Sequence, residues 1–273
     1  MICPYKVRWR NQSSLDFNLT TELSFDSDQG EVETYLGRNA VASESYNGTF
    51  KRVYGYSWDQ TLSPTITFIK PNRGEFTFEE NRKILAWLTS GKNASYLDVY
   101  RSNSDKIDYC ILGNFITVNQ YKLTNGRIIG YTATFESVAP WAFSEIIDHS
   151  WTLAADQTVS IDIQTDELDA LIYPKIFLTS KSKIDSITIG NWYMVDANDS
   201  YVSTTIKNIS SNELIIIDGA NKVISSDKTV DRVFGDDFDF NWLPLAYGEN
   251  SICTNKGCTL TFQYRVPIKC GEF

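Results

Sequence analysis

Residues 76–89, Phe76-Thr-Phe-Glu-Glu-Asn-Arg-Lys-Ile-Leu-Ala-Trp-Leu-Thr89, decide how this chain is read. Thr77 and Glu80 stand three apart, the spacing of a capping box. The hydroxyl accepts from the Glu80 amide while the carboxylate accepts from the Thr77 amide. Ile84, Leu85 and Leu88 then form one apolar stripe, and Ser90-Gly91 supplies the stop. This helix stands in a chain that otherwise reads as strands. Residues 64–69 alternate polar and apolar side chains, the mark of a half-buried strand, and 94–100 and 108–121 have strand composition. Asn125-Gly126 tolerates positive φ and predicts a tight hairpin turn into a return strand over 128–135. The sheet is expected to stop at Ala139-Pro140-Trp141, because proline cannot donate to a ladder.

Working outward, residues 142–157 read as a connector. Short strands are expected at 158–163, 175–178, 184–189, 202–209, 214–217, 222–224 and 259–266, with a tight turn at Asp218-Gly219. Short strands separated by turn residues every ten or so positions suggest a β-sandwich. The expected fold class is mainly β: an antiparallel first domain with one α-helix (α+β) over residues 1–142, then a β-sandwich over residues 143–273.

A chain of 273 residues is long enough for two such cores. Aromatic content of 14% suits pleated, half-buried surfaces. No apolar run is long enough to span a bilayer and no charged-then-apolar leader follows Met1, so neither membrane insertion nor an export signal is expected. Charge separates the halves. Residues 1–142 carry 15 basic and 15 acidic side chains, whereas 143–273 carry 10 basic and 19 acidic, so the net charge of −9 lies wholly in the second half. A phosphate-backbone binder needs a basic face, so nucleic-acid binding is not expected.

Motifs for chemistry are sparse. Nucleophilic hydrolysis usually needs a histidine base, and the only histidine, His149, falls in the connector and reads as exposed. No phosphate loop or Gly-x-Gly-x-x-Gly turn appears, so no nucleotide cofactor is expected. Asp236, Asp237 and Asp239 are the remaining acid–base candidates, the set a cell-wall glycosidase would use. On a strand, Asp237, Asp239 and Asn241 would share a solvated face while Phe238, Phe240 and Trp242 face the core. Five cysteines are an odd number, which argues against a disulfide framework. Cys253 and Cys258 bracket Thr-Asn-Lys-Gly, read as a hairpin tip, and with Cys270 offer three thiolates but no fourth zinc ligand. No metal is therefore expected. Trp192, Tyr193 and Tyr201 are candidate glycan contacts, as a stacking platform, although aromatics in short strands belong by default to the core. Arg38, Glu44, Tyr46, Arg52 and Trp58 lie in a polar-aromatic stretch that reads as a subunit contact rather than a ligand pocket.

Several segments, in order and spacing, resemble the distal tail family of long-tailed bacteriophages. They include Thr34-Tyr-Leu-Gly-Arg38, Ser43-Glu-Ser-Tyr-Asn-Gly48, Leu62-Ser-Pro-Thr-Ile-Thr-Phe-Ile-Lys70, the capped helix, Tyr109-Cys-Ile-Leu-Gly-Asn-Phe115 and Phe135-Glu-Ser-Val-Ala-Pro-Trp141. Trp242-Leu-Pro-Leu, Gly248-Glu-Asn250 and Phe262-Gln-Tyr-Arg265 extend the likeness into the second half. The resemblance implies a non-enzymatic structural protein of the virion tail tip, made in the host bacterial cytoplasm. Its first domain would close into a homohexameric ring continuing the tail tube, and its second, a galectin-like β-sandwich, would project outward. The implied partners are other copies of the chain, the tail tube protein, the tape-measure protein and hub or receptor-binding tail proteins. The histidine-, asparagine- and arginine-containing sugar motif of true galectins has no counterpart here, so the second domain's likeness would be architectural.

Overall fold

The computed structural model describes residues 4–22, 38–44, 51–58, 61–103, 105–195, 200–228 and 232–269, and the capped helix stands where its signals place it. Helix α1 (Phe78–Thr89) begins at Thr77 with both halves of the capping box formed. Thr77 N donates to Glu80 Oε2 at 2.7 Å and Glu80 N to Thr77 Oγ1 at 3.3 Å. Ser90 closes it in an extended conformation, its amide still donating to Ala86 O. The buried stripe is Ile84, Trp87 and Leu88, while Leu85 is only partly covered. Each fully buried side chain of this kind contributes about 1.5–3 kcal/mol.

The first of two compact units comprises Met1–Phe143 and Lys269–Phe273. Its strands are β1 (Lys6–Trp9), β2 (Gln12–Ser13), β3 (Thr20–Glu22), β4 (Arg38–Glu44), β5 (Lys51–Trp58), β6 (Thr65–Ile69), β7 (Ser95–Tyr100), β8 (Tyr109–Lys122), β9 (Ile128–Ser137) and β10 (Ala142–Phe143). The main sheet is antiparallel, ordered β2-β1-β7-β8-β9-β6-β3, with β10 beside β8. Period-2 alternation on β6 buries Ile66 and Phe68, as expected. Trp87 pins the helix to the sheet. Its indole nitrogen donates to Trp9 O at 3.0 Å, and its ring stacks on Phe17 at 4.8 Å and meets Phe68 edge-on at 5.7 Å. The β8–β9 turn uses its two signal residues differently. Gly126 alone takes positive φ (80°), while Asn125 stays right-handed and accepts the Arg127 amide on its side chain at 3.2 Å. Strands β4 and β5 pair only with each other among the described residues, with a register shift between Val41 and Ala42.

The second unit, Ser144–Ile268, is a sandwich. Its strands are β11 (Ile147–Leu153), β12 (Gln157–Ile163), β13 (Lys175–Thr179), β14 (Ile184–Val195), β15 (Tyr201–Ile209), β16 (Leu214–Asp218), β17 (Val223–Ser226), β18 (Gly248–Thr254) and β19 (Cys258–Tyr264), with a single helical turn α2 (Phe234–Asp237). One sheet runs β11-β19-β13-β16-β17 and the other β12-β18-β14-β15. Their inner faces share an isoleucine-rich core that includes Ile161, Ile176, Ile187, Ile189, Ile206, Ile215, Ile217 and Ile252.

Three expectations about these elements need correction and one turn is refined. The connector over 142–157 contains β11, whose half-buried positions Ile147, His149 and Trp151 lead to buried Leu153 at a period of two. The segment between Cys253 and Cys258 is not a hairpin tip but an arch, since β18 and β19 belong to different sheets. The tight turn expected at Asp218-Gly219 is present between β16 and β17, and Gly219 serves there by close approach, because a Cβ would lie 2.8 Å from Pro174 O. Residues 237–241 do not form a strand with a solvated face. They leave α2 through an isolated bridge, Phe238 to Ile206, and Phe240 is exposed at φ 57°.

Candidate functional site

Of the three aspartates, Asp239 binds the backbone and Asp237 binds side chains, while Asp236 stands in the α2 turn. Asp239 Oδ2 accepts from Thr205 N at 2.8 Å, and its Oδ1 accepts from Asn241 N at 3.0 Å. Asp237 Oδ1 accepts from Asn208 Nδ2 at 2.7 Å. Beside them Arg232 reaches Lys207 O at 2.6 Å and lies 3.5 Å from Glu213, a carboxylate with no exposure. Glu213 also accepts from Ser226 Oγ and Ser210 N. This charged knot fastens the 232–239 segment to the end of β15.

His149 sits on β11, not in an exposed connector. Its ring stacks against Trp151 at 5.6 Å and Tyr264 at 5.9 Å, and Nε2 shares a 3.1 Å hydrogen bond with the Tyr264 hydroxyl, not with a serine or cysteine. Burial pushes the Tyr264 hydroxyl up to about 12. Cys258 is buried in the arch and burial pushes its thiol up to about 11. Burial raises the Cys253 thiol as well, and Cys270 lies outside the described residues. Among the described residues no group of three His, Cys, Asp or Glu side chains is arranged to hold a metal ion. No helix among them is long and apolar enough to cross a membrane.

Among the described residues, each unit carries a cleft. One of about 430 Å³ in the first unit is lined by Arg10, Phe17, Lys83 and Trp87, with the Arg10 guanidinium committed to the Ser90 and Asn93 carbonyls. The other, about 400 Å³ in the second unit, is lined largely by hydroxyls, among them Thr152, Thr179, Ser180 and Thr259. Neither gathers an acid–base pair.

Of the expected subunit-contact residues, Arg38 and Glu44 stand at opposite ends of β4 and Arg52 lies on β5, with their side chains outside those described. Tyr46 lies outside the described residues altogether. Trp58 ends β5 half-buried, edge-on to Trp141 at 5.8 Å, with the Lys269 ammonium 5.8 Å from its ring centre.

The expected glycan contacts depart from the core default. Trp192 is 51% exposed, Tyr193 62% and Tyr201 58%. The Trp192 and Tyr201 rings lie 6.1 Å apart at 30°; Tyr193 is exposed beside them. A period of two places Trp192 on the outer face, because the residue before it is Asn191, fully buried at the end of the regular β14 ladder. Its Nδ2 donates to Asn250 Oδ1 at 2.8 Å and Pro244 O at 3.3 Å. Its Oδ1 accepts from Ser251 N at 3.2 Å and Tyr193 N at 3.3 Å. Every hydrogen-bonding position of that amide is used. Asn250 is tied in turn to Ala246 and Gly248. The β14–β15 register shifts between Asn191 and Val195.

The chain folds as two antiparallel β units in which Asp237, Asp239, Glu213 and His149 are engaged in bonds within the fold. The chain belongs to the phage tail protein family: it matches the phage tail protein N-terminal domain over residues 8–139 and the phage tail C-terminal domain over residues 141–264. The family resemblance read from its residues is thus borne out. No curated protein matches it by sequence. Among solved structures it is similar to the Dit (gp 19.1) protein of phage SPP1, described as a paradigm of the hub adsorption apparatus in phages infecting Gram-positive hosts. Identity is 10%, the TM-score 0.60, and the match covers 95% of this chain and 98% of that one. It is also similar to a chain of the phage p2 baseplate in its activated conformation with Ca, at 10% identity and TM-score 0.53, covering 96% and 98%. The corresponding p2 structure with Sr gives 12% identity and TM-score 0.52. The fold is that of these hub and baseplate chains from end to end.

Proposed function

We propose that this chain is a distal tail protein, a structural and non-catalytic component of the virion tail tip. In this reading residues 1–142 close into a homohexameric ring that continues the tail tube, and residues 143–273 form a galectin-like domain projecting from it. Ring partners are the tail tube and tape-measure proteins on one side and hub or receptor-binding tail proteins on the other. Synthesis takes place in the cytoplasm of the bacterial host. The observation that carries the reading is the family match of both domains in their order, joined to a fold likeness covering 95% of this chain and 98% of the SPP1 protein.

A ring closed by rotation uses heterologous contacts, in which each copy offers a different patch to each neighbour. The equal numbers of basic and acidic side chains in residues 1–142 favour such packing, since a domain of one sign would repel its copies. The self-paired β4–β5 hairpin carries Arg38, Glu44, Arg52 and Trp58 and is the element assigned here to the contact. Light scattering at high protein concentration, together with electron microscopy of intact particles, tests the proposal. Rings in solution or a copy at the tail tip support it. A monomer at every concentration with no copy at the tip removes it. Incubation with peptidoglycan and host polysaccharides tests the non-catalytic part, and turnover abolished by Asp237→Ala would assign the aspartates a chemical role instead.

A further inference from the structure

We propose that Trp192 and Tyr201 form a stacking subsite for a neutral oligosaccharide on the outer face of the second unit. Ligand-facing aromatics differ from core aromatics in being exposed, close together and nearly parallel. Both rings are more than half exposed, their centres are 6.1 Å apart, and they tilt by only 30°. A pyranose has an apolar C–H face that lies on such a ring while its rim hydroxyls need hydrogen-bond partners. Two rings side by side call for at least two linked sugars.

The platform is built rather than incidental. Trp192 lies against Gly190, where an added Cβ would be 3.7 Å from the indole Cδ1 and Nε1, so the indole runs alongside the bare strand. Trp192 follows inward-facing Ile189 and Asn191 on the outer face of β14, and the saturated Asn191–Asn250 amide pair anchors the strand at the residue before it. Preorganisation of this kind lowers the entropy lost on binding. Strand register supplies the polar rim. Asn191 and Ile189 face inward, fully buried, so Gly190 and Thr188 face outward, and their partners Ser203 and Thr205 share that face. Two residues from Cys253, the partner of Gly190 on β18, lies Ser251, and beyond it Glu249, which accepts from Ser160 Oγ at 2.6 Å. Hydroxyls and a carboxylate beside exposed rings are the recognition chemistry of a sugar.

Charge narrows the class. With 19 acidic against 10 basic side chains in residues 143–273, a polyanionic glycan is repelled, so the ligand is uncharged. The argument does not depend on ring formation. Two exposed stacking contacts support an affinity on the order of 1 mM per site for a short ligand.

The test uses the full chain with cellopentaose, laminaripentaose, chitopentaose and a linear β-galacto-oligosaccharide as neutral probes and a sulfated heparin fragment as the anionic one. Binding is read by saturation-transfer NMR and tryptophan fluorescence. At least one neutral probe saturates at millimolar concentration or below. Trp192→Ala and Tyr201→Ala each weaken it at least fivefold, Trp192→Phe stays within threefold of the parent, and Tyr121→Ala, an exposed aromatic of the other unit, changes nothing. Circular dichroism melts confirm that each variant is folded. Absence of binding by every neutral probe at 10 mM, binding of the heparin fragment alone, or binding indifferent to Trp192→Ala overturns the proposal.

Discussion

Replacing Asn191 by alanine removes four hydrogen bonds from a site with no solvent exposure. The Ser251 and Tyr193 amides lie near the surface and recover water, so their loss is cheap. Pro244 O loses the Asn191 bond inside the unit, and Asn250 Oδ1 keeps only the Ala246 amide, at 2.9 Å. With about 1 kcal/mol net per bond and about 1–3 kcal/mol for a buried group left unpaired, Asn191→Ala is expected to cost roughly 3 kcal/mol. Asn191→Asp separates the donors from the acceptors. A carboxylate keeps both amide bonds but turns an oxygen toward Asn250 Oδ1 and Pro244 O. Burial and those facing acceptors raise its folded pKa above the ordinary value of about 3.9. A raised acid pKa costs stability once pH exceeds the unfolded value, and the cost grows until pH passes the folded one. The gap between Asn191→Asp and the parent should therefore widen from pH 4.5 to pH 8, while the gap for Asn191→Ala stays constant. Calorimetry of the full chain across that range measures both. An alanine variant within about 1 kcal/mol of the parent, or an aspartate variant with a pH-independent gap, refutes the account of the network.

Glu80 is held well below the usual carboxylate range, at about 2, by the Lys70 ammonium first and the Thr77 amide second. Its contribution is full above the unfolded pKa near 4.5 and is lost as pH falls toward 2; since the side chain is 41% exposed, screening reduces it to about 1 kcal/mol. Melts of Glu80→Gln and the parent should thus converge between pH 5 and 2.5. Arg232→Ala strands Glu213 in the interior and should cost about 3–5 kcal/mol, measured by urea unfolding, with Glu213→Gln in the same background recovering part of it. Trp87→Phe leaves Trp9 O without its indole donor and should cost about 1–3 kcal/mol, seen as faster amide exchange over 78–89. Gly219→Ala forces a methyl against Pro174 O and should lower the melting temperature, whereas Gly190→Ala, whose Cβ meets only ordinary contacts, should not.

The helix was legible because a capping box is local: three residues carry the signal and the structure returns both bonds. Its buried face was only partly read. Trp87 lies three residues beyond Ile84 and next to Leu88, so the helical stripe runs through it, and Leu85 sits at the stripe's margin. Strand β11 escaped because its half-buried positions include His149, and a polar residue hides the period of two. Strand β18 escaped for a related reason: two of its inward positions are polar, Asn250 and Thr254, buried with their hydrogen bonds satisfied by Ala246 and Asn191 and by Lys256. The exposed Trp192 and Tyr201 were assigned to the core by default. The outer position of Trp192 follows a period of two through Ile187, Ile189 and Asn191, and the signal is hidden because the last inward residue is a polar Asn191, whose amide is satisfied by Asn250, 59 residues away. Likewise, the aspartates of 236–239 suggest catalysis in one dimension, and the bonds of Asp237 and Asp239 to β15 emerge only once that strand is beside them.

That fastening explains how the chain manages its sheet edges. An unpaired strand edge is a template for pairing with another chain, and tail proteins assemble at high local concentration. Three edges are simply short: β2 has two residues, β3 three and β17 four. Strand β15, with nine, is the longest edge of the second unit, and there the 232–239 segment intervenes. Thr205 N donates to Asp239 Oδ2, Asp239 N donates to Thr205 O, Phe238 bridges Ile206, and Arg232 takes the carbonyls of Lys207 and Asn208. The residues that most resemble an active site are thus spent on suppressing unwanted pairing. The β4–β5 hairpin is treated in the opposite way. It joins neither large sheet among the described residues, and a two-stranded ribbon is only marginally stable in water without further packing. The β15 edge is thus covered by an arginine and an aspartate, whereas the β4–β5 hairpin pairs only with itself among the described residues. In the proposed ring, this hairpin is the element that meets a neighbouring copy.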